Sequence, residues 1–148
     1  MTTSGRTFSH QEGVAAYCQR LIKTVQPDCI ILHGSVARGV DDKDSDVDLL
    51  VIGGKLPDNF FERLYLLNRL REDDTPIEAV GYSLPEWEKM MQNLHLTTLE
   101  ALEWGVPLYG ESLFYEWRTR FESFKRQGLS RGKNSWTVPA ALRRKLAA

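Results

Sequence analysis

Two short apolar runs restrict this chain more than any other feature. Cys29-Ile30-Ile31-Leu32 leads into Gly34, and Leu49-Leu50-Val51-Ile52 leads into Gly53-Gly54. Each is too short for a helix and is apolar without alternation, the pattern of a strand buried on both faces. Helices must then cover a sheet from both sides, and the chain supplies them. Val14, Tyr17, Cys18, Leu21, Ile22 and Val25 recur at spacings of three and four, which predicts an amphipathic helix over Gln11 to Val25, stopped before Pro27. Pro57 to Arg71 predicts a second, with Phe60, Phe61, Leu64, Leu67 and Leu70 on one face. Ser83-x-x-Glu86 has the form of a capping box and opens a helix to about Asn93. Thr97-x-x-Glu100 has the same form and opens one that Gly105 would stop as a C′ residue. Glu111 to Gln127 is the last, with Phe114, Trp117, Phe121 and Phe124 on its apolar side.

Between these lie strands at Asp46 to Ile52 and Pro76 to Tyr82, and a short edge strand at Val106 to Tyr109, where Pro107 argues against a central place. Asp41 to Ser45 reads as a polar loop. The expected fold is α/β (α+β), a small mixed sheet flanked by helices. At 148 residues the chain is sized for one domain. Its 42% hydrophobic and 26% charged residues are those of an ordinary globular protein. Cys18 and Cys29 form neither a disulfide framework nor a CxxC pair, the N-terminus is polar, and no apolar run approaches a membrane span. These features predict a cytoplasmic protein with no membrane association.

A net charge of −1 hides an asymmetry: residues 1–110 sum to −7 and residues 111–148 to +6. Such a split is either a basic arm for an acidic partner or two charged surfaces that meet within the fold. The last stretch, 129–148, carries Arg131, Lys133, Arg143, Arg144 and Lys145 around Trp136 with little periodicity, and is expected to be only partly ordered. A nucleic-acid backbone would suit it, but a solvated end or an arm over the acidic half is the favoured reading.

The acidic half holds the chemistry. Asp46 and Asp48 are two apart on a strand, so their carboxylates project from one face and repel unless a cation lies between them. Hard oxygen donors favour Mg²⁺ or Mn²⁺ over zinc. Glu78 interrupts the third strand's apolar run on the face opposite Ile77 and Ala79, where it completes a possible three-carboxylate cluster. Gly34-Ser35 stands at a strand end, where backbone N–H groups and a hydroxyl meet phosphate oxygens. Other readings fit worse. Gly34 and Gly39 have P-loop spacing, but Val40-Asp41 replaces the required Lys-Ser/Thr. Ser35 lacks a G-x-S-x-G elbow, and His10, His33 and His95 lack metal-ligand spacing.

Gly34-Ser35-x-x-Arg38-Gly39 followed by Ser45-Asp46-x-Asp48-Leu49 resembles the G-S…D-x-D signature of the DNA polymerase β nucleotidyltransferase superfamily, and in particular its small minimal nucleotidyltransferases. The likeness runs on through Pro76-Ile77-Glu78 and Leu99 to Tyr109. It implies a nucleotidyltransferase fold, with the domain over 1–128 and the basic tail after it. It further implies two divalent ions held by Asp46 and Asp48, with Glu78 as the third carboxylate, nucleotide phosphates at Gly34 and Ser35, and Arg38 as a phosphate-neutralising cation. The reaction implied is transfer of a nucleoside monophosphate, AMP foremost, from ATP or another nucleoside triphosphate to an acceptor hydroxyl. The acceptor suggested is a protein such as a HEPN-type toxin. The competing reading is a module that binds without turnover: an antitoxin that inhibits by docking, or a nucleotide-binding protein.

Overall fold

The computed structural model describes residues 8, 10–40 and 46–148. The loop expected at Asp41 to Ser45 lies outside the described residues, as does any pairing of Arg38 with Asp41, Asp42 or Asp44. Helix α1 (Gln11–Thr24) leads into strand β1 (Cys29–His33), the short helix α2 (Gly34–Arg38) and strand β2 (Val47–Ile52). Helix α3 (Phe60–Arg69), strand β3 (Ile77–Tyr82) and helices α4 (Leu84–Gln92) and α5 (Leu96–Trp104) follow. Strand β4 (Val106–Tyr109), helix α6 (Glu111–Arg126), a hairpin of β5 (Ser130–Arg131) and β6 (Trp136–Thr137), and helix α7 (Ala140–Ala147) complete the chain.

The four longer strands form a mixed sheet in the order β3-β2-β1-β4. β1 runs antiparallel to both neighbours and β2 parallel to β3. The period of two then sorts the side chains. Ile30, Leu32, Leu49, Val51 and Ile77 face α1 and α3, meeting Val14, Tyr17, Leu21 and Leu67. Cys29, Ile31, Leu50 and Ile52 face the other way, into Trp87, Met91, Leu102, Phe114 and Phe121 of α4, α5 and α6. Both faces are covered, which is why the two central strands tolerate unbroken apolar runs. Cys18 and Cys29 are free and buried, and among the described residues no helix is long and apolar enough to cross a membrane.

Three local expectations are corrected. α3 buries Arg63 and Leu67, while Phe60 and Phe61 are exposed. A buried arginine displaces the expected aromatic stripe because its guanidinium is satisfied: it pairs with Glu86 at 2.6 Å and donates to the carbonyl oxygens of Pro57 and Asp58. Glu86 also closes the α4 capping box with Ser83, so one carboxylate ties α3 to the start of α4. The N-cap of α5 is His95, whose Nδ1 accepts the Thr97 N–H, and not Thr97. Gly105 ends α5 in an extended conformation, not a left-handed one. Its need for glycine is crowding, since a Cβ there would lie 2.1 Å from the Ala101 carbonyl oxygen.

Residues 129–148 are more ordered than their weak periodicity suggests. Leu129 and Leu142 are buried, and Trp136, Val138 and Leu146 pack on the same core. The oppositely charged parts of the chain meet within the fold: Arg131 pairs with Glu100 at 3.3 Å, Lys125 with Glu103 at 3.0 Å and Arg120 with Glu88 at 2.6 Å.

Candidate active site

The sheet register assembles the polar residues at one end of the face that carries α4, α5 and α6. His33 is the partner of Asp48 across β1 and β2, and Asp48 is the partner of Glu78 across β2 and β3. Paired residues share a face, so the imidazole and two carboxylates stand in a row, with Asp46 just before the start of β2. Asp48 is half-buried, whereas Asp46 and Glu78 are exposed. Burial raises the Asp48 carboxyl above the usual carboxylate range, and the charges of Glu78 and Asp46 push it in the same direction. Asp48 thus lies within electrostatic reach of both Glu78 and Asp46. Among the described residues, no three His, Cys, Asp or Glu side chains form a ready-made metal cage.

Gly34 has φ +76°, a left-handed conformation, and a Cβ placed on it would lie 2.2 Å from Asp48 Oδ2. Any side chain here would be strained by its backbone and would collide with the carboxylate. The backbone at the β1–α2 junction is thus held against Asp48. α2 has only five residues, and Ser35 is its second. Arg38 ends α2 and lays its guanidinium over the Trp104 ring, 4.5 Å from the centroid. Arg131 of β5 lies 5.1 Å from the same ring. Trp104 was not anticipated from sequence, because nothing in local spacing links the end of α5 to α2.

A cleft of about 620 Å³ opens where α3 meets the edge strand β3, with Asp46 and Glu78 among its walls and Tyr65, Asn68 and Arg71 opposite. Tyr65 and Asn68 of α3, and Arg71 just beyond it, have no local spacing that joins them to the carboxylates. The signal available was Tyr65, an aromatic ring on the polar side of an amphipathic helix.

His33 is held neutral, its pKa lowered to about 4 by burial. A folded-state pKa below the unfolded one means that the unfolded chain binds the extra proton, so stability is lost as pH falls from about 6.5 toward 4. His33→Asn should keep that stability: its melting temperature should fall less between pH 7 and pH 5 than that of wild type. Equal falls in a pair of thermal melts would show that His33 is not buried neutral.

A glycine-serine turn thus lies against Asp48 of the next strand, with Asp46 just before that strand, at one end of a mixed sheet covered on both faces. The chain belongs to the nucleotidyltransferase domain family, which matches residues 14–100, and it is a nucleotidyltransferase. Its fold is similar to that of a solved structure described as a toxin-antitoxin with AMP-PNP, at 19% identity over 75% of this chain and 86% of that one, with a TM-score of 0.50. A mutant of the toxin-antitoxin MntA-HpeT matches at 16% identity over 74% and 84%, TM-score 0.49. A putative nucleotidyltransferase from Sulfolobus solfataricus matches at 21% identity over 58% and 84%, TM-score 0.40. No curated protein matches.

Proposed function

We propose that this nucleotidyltransferase moves AMP from ATP to a hydroxyl group of a partner protein, with Mg²⁺ or Mn²⁺ required and pyrophosphate leaving. The observation that carries the reading is the register that sets Asp48 between the Gly34 turn and Glu78. The donor set suits a hard divalent cation. Mg²⁺ commonly takes one or two carboxylates and completes its shell with substrate phosphates, so Asp46 and Asp48 would hold two ions without an enclosing cage. Glu78 is the third carboxylate. When bound, the ions would neutralise triphosphate charge and clamp the attacking and leaving oxygens.

The chain's own groups bind and orient. Gly34 lets backbone N–H groups and the Ser35 hydroxyl approach phosphate oxygens beside Asp48, and Arg38, steadied on Trp104, adds a cation at the far end of α2. The acceptor oxygen bonds to the α-phosphorus as the bond to the bridging oxygen breaks. That electron pair leaves with pyrophosphate, and the hydroxyl proton passes to water. Positioning and charge stabilisation account for most of the rate in such a reaction. ATP and a protein partner take support from the fold neighbour described as a toxin-antitoxin with AMP-PNP, and a HEPN-type toxin is the partner we favour. The reaction belongs in the cytoplasm, where Cys18 and Cys29 stay reduced.

Calorimetry with a non-hydrolysable ATP analogue tests the reading. Affinity should fall at least about tenfold when EDTA replaces Mg²⁺, because the ions screen carboxylates that otherwise repel the triphosphate. Equal affinity in both buffers would contradict it.

A further inference from the structure

Helix α5 carries two residues that meet the C-terminal hairpin. Glu100 and Trp104 are four apart and therefore neighbours on one side of the helix. Arg131 of β5 spans both: its Nη2 donates to Glu100 Oε1 at 3.3 Å, and its guanidinium carbon lies 5.1 Å from the centre of the Trp104 ring. Its Nη1 donates to the carbonyl oxygens of Gly132 and Lys133 at 2.7 and 3.1 Å, so the guanidinium is held from its own hairpin as well. The hairpin in turn is anchored in the core by buried Leu129 and by Trp136, whose ring meets Phe121 edge to face at 5.8 Å.

Arg38 lies over the same Trp104 ring, 4.5 Å from its centre. Among the described residues no carboxylate forms an ion pair with it. The ring orients a guanidinium that would otherwise sample many rotamers at the end of a five-residue helix. A cation within about 6 Å of an aromatic centroid is attracted to the ring, and tryptophan attracts most strongly. The structure assigns Trp104 and Arg131 as positioning residues for Arg38: the β5–β6 hairpin fixes the ring, the ring fixes the arginine, and nucleotide affinity depends on side chains that touch no nucleotide. The inference rests on the nucleotidyl-transfer reading, in which Arg38 meets phosphate. Both positioning residues lie beyond the family match, which ends at residue 100, so the brace is built by the C-terminal part of this chain.

Ordering a long side chain on binding subtracts from affinity, and a side chain already held in place avoids that loss. Losing the brace should therefore weaken triphosphate binding by about two- to tenfold, the range of one cation–π contact. Simple electrostatics predicts a different pattern. Glu100 is an anion one turn from Trp104 on α5, so deleting its charge would favour a polyanionic ligand. Positioning predicts the opposite sign, since Arg131 loses its anchor and Trp104 its brace.

The test is calorimetry of the full-length protein with Mg²⁺ and a non-hydrolysable ATP analogue. Arg38→Gln should weaken binding, and Trp104→Leu, Arg131→Gln and Glu100→Leu should each weaken it by about two- to tenfold. Trp104→Phe, which keeps an aromatic face, should restore most of what Trp104→Leu loses. In an Arg38→Gln background, Trp104→Leu and Arg131→Gln should add nothing, because both act through Arg38. Thermal melts set a common temperature at which the variants are folded, and if Trp104→Leu does not fold, Glu100→Leu and Arg131→Gln decide the matter. Unchanged or tighter binding by Glu100→Leu, or effects that add in full to that of Arg38→Gln, would overturn the inference. If Arg38→Gln weakens binding and the Trp104, Arg131 and Glu100 variants do not, only this inference fails. If the wild-type protein does not bind the analogue with Mg²⁺, the nucleotidyl-transfer reading fails with it.

Discussion

Asp48→Asn should lower nucleotidyl transfer by at least about a hundredfold, roughly 2.7 kcal/mol of transition-state stabilisation, while leaving the metal-free protein as stable as wild type or more so. The two effects part because one group serves opposing ends. Half-buried between Glu78 and Asp46, the Asp48 carboxylate is costly to ionise, and its raised pKa records that cost. The native state binds the proton more readily than the unfolded chain, so ionised Asp48 lowers stability once the pH rises past its folded pKa. Asn removes the charge at nearly constant volume and preserves the close approach of Gly34, so the usual tendency of substitutions to destabilise should be offset. Label transfer from α-labelled ATP, measured beside a thermal melt in EDTA, reads both quantities. A marked early melt in EDTA would make Asp48 a structural hydrogen-bonding residue.

Truncation after Gly128 should cost far more stability than a basic tail would suggest, and it should do so through apolar packing. Leu129 and Leu142 are 2% and 3% exposed, and burial of such side chains is worth about 1.5–3 kcal/mol each. Trp136, Val138 and Leu146 add to the same core. The ion pair of Arg131 with Glu100 is partly exposed and contributes at most about 1 kcal/mol. A loss of roughly 3–6 kcal/mol against a typical 5–15 kcal/mol should lower the melting temperature by on the order of 10–20 °C. High salt should leave that difference largely intact, because the lost contacts are mainly apolar. A truncated chain melting within about 2 °C of wild type would mean that residues 129–148 do not belong to the core.

The parts of this fold that sequence makes legible are those with a strong local period or cap. The unbroken apolar runs of β1 and β2, the Ser83–Glu86 capping box and the aromatic face of α6 all appear where expected, because each is specified by residues close in sequence. The alternation rule likewise placed Glu78 on the face opposite Ile77 and Ala79, and the β2–β3 register sets it beside Asp48. What sequence could not supply was long-range. Arg63 is buried because Glu86, 23 positions away, satisfies it, so no count of apolar residues on α3 could reveal that Phe60 and Phe61 face water. Trp104 lies beneath Arg38 only because α5 packs across α2. Leu129, Leu142 and Leu146 are too sparse to signal a helix and hairpin of their own, and they are ordered by a core already made by α4, α5 and α6.

Ligand-linked thermal melting reports most directly on whether nucleotide and metal bind at Asp48. Ligands that bind only the folded state raise its stability by about 2.7 kcal/mol at a hundredfold excess over Kd, a shift easily read in a melt. Wild type, Asp46→Asn and Asp48→Asn are melted in EDTA and again in Mg²⁺ with a non-hydrolysable ATP analogue. The wild-type melting temperature should rise by several degrees, and those of the two Asn variants should rise much less. Equal rises in all three proteins, or none in wild type, would contradict the assignment of this site.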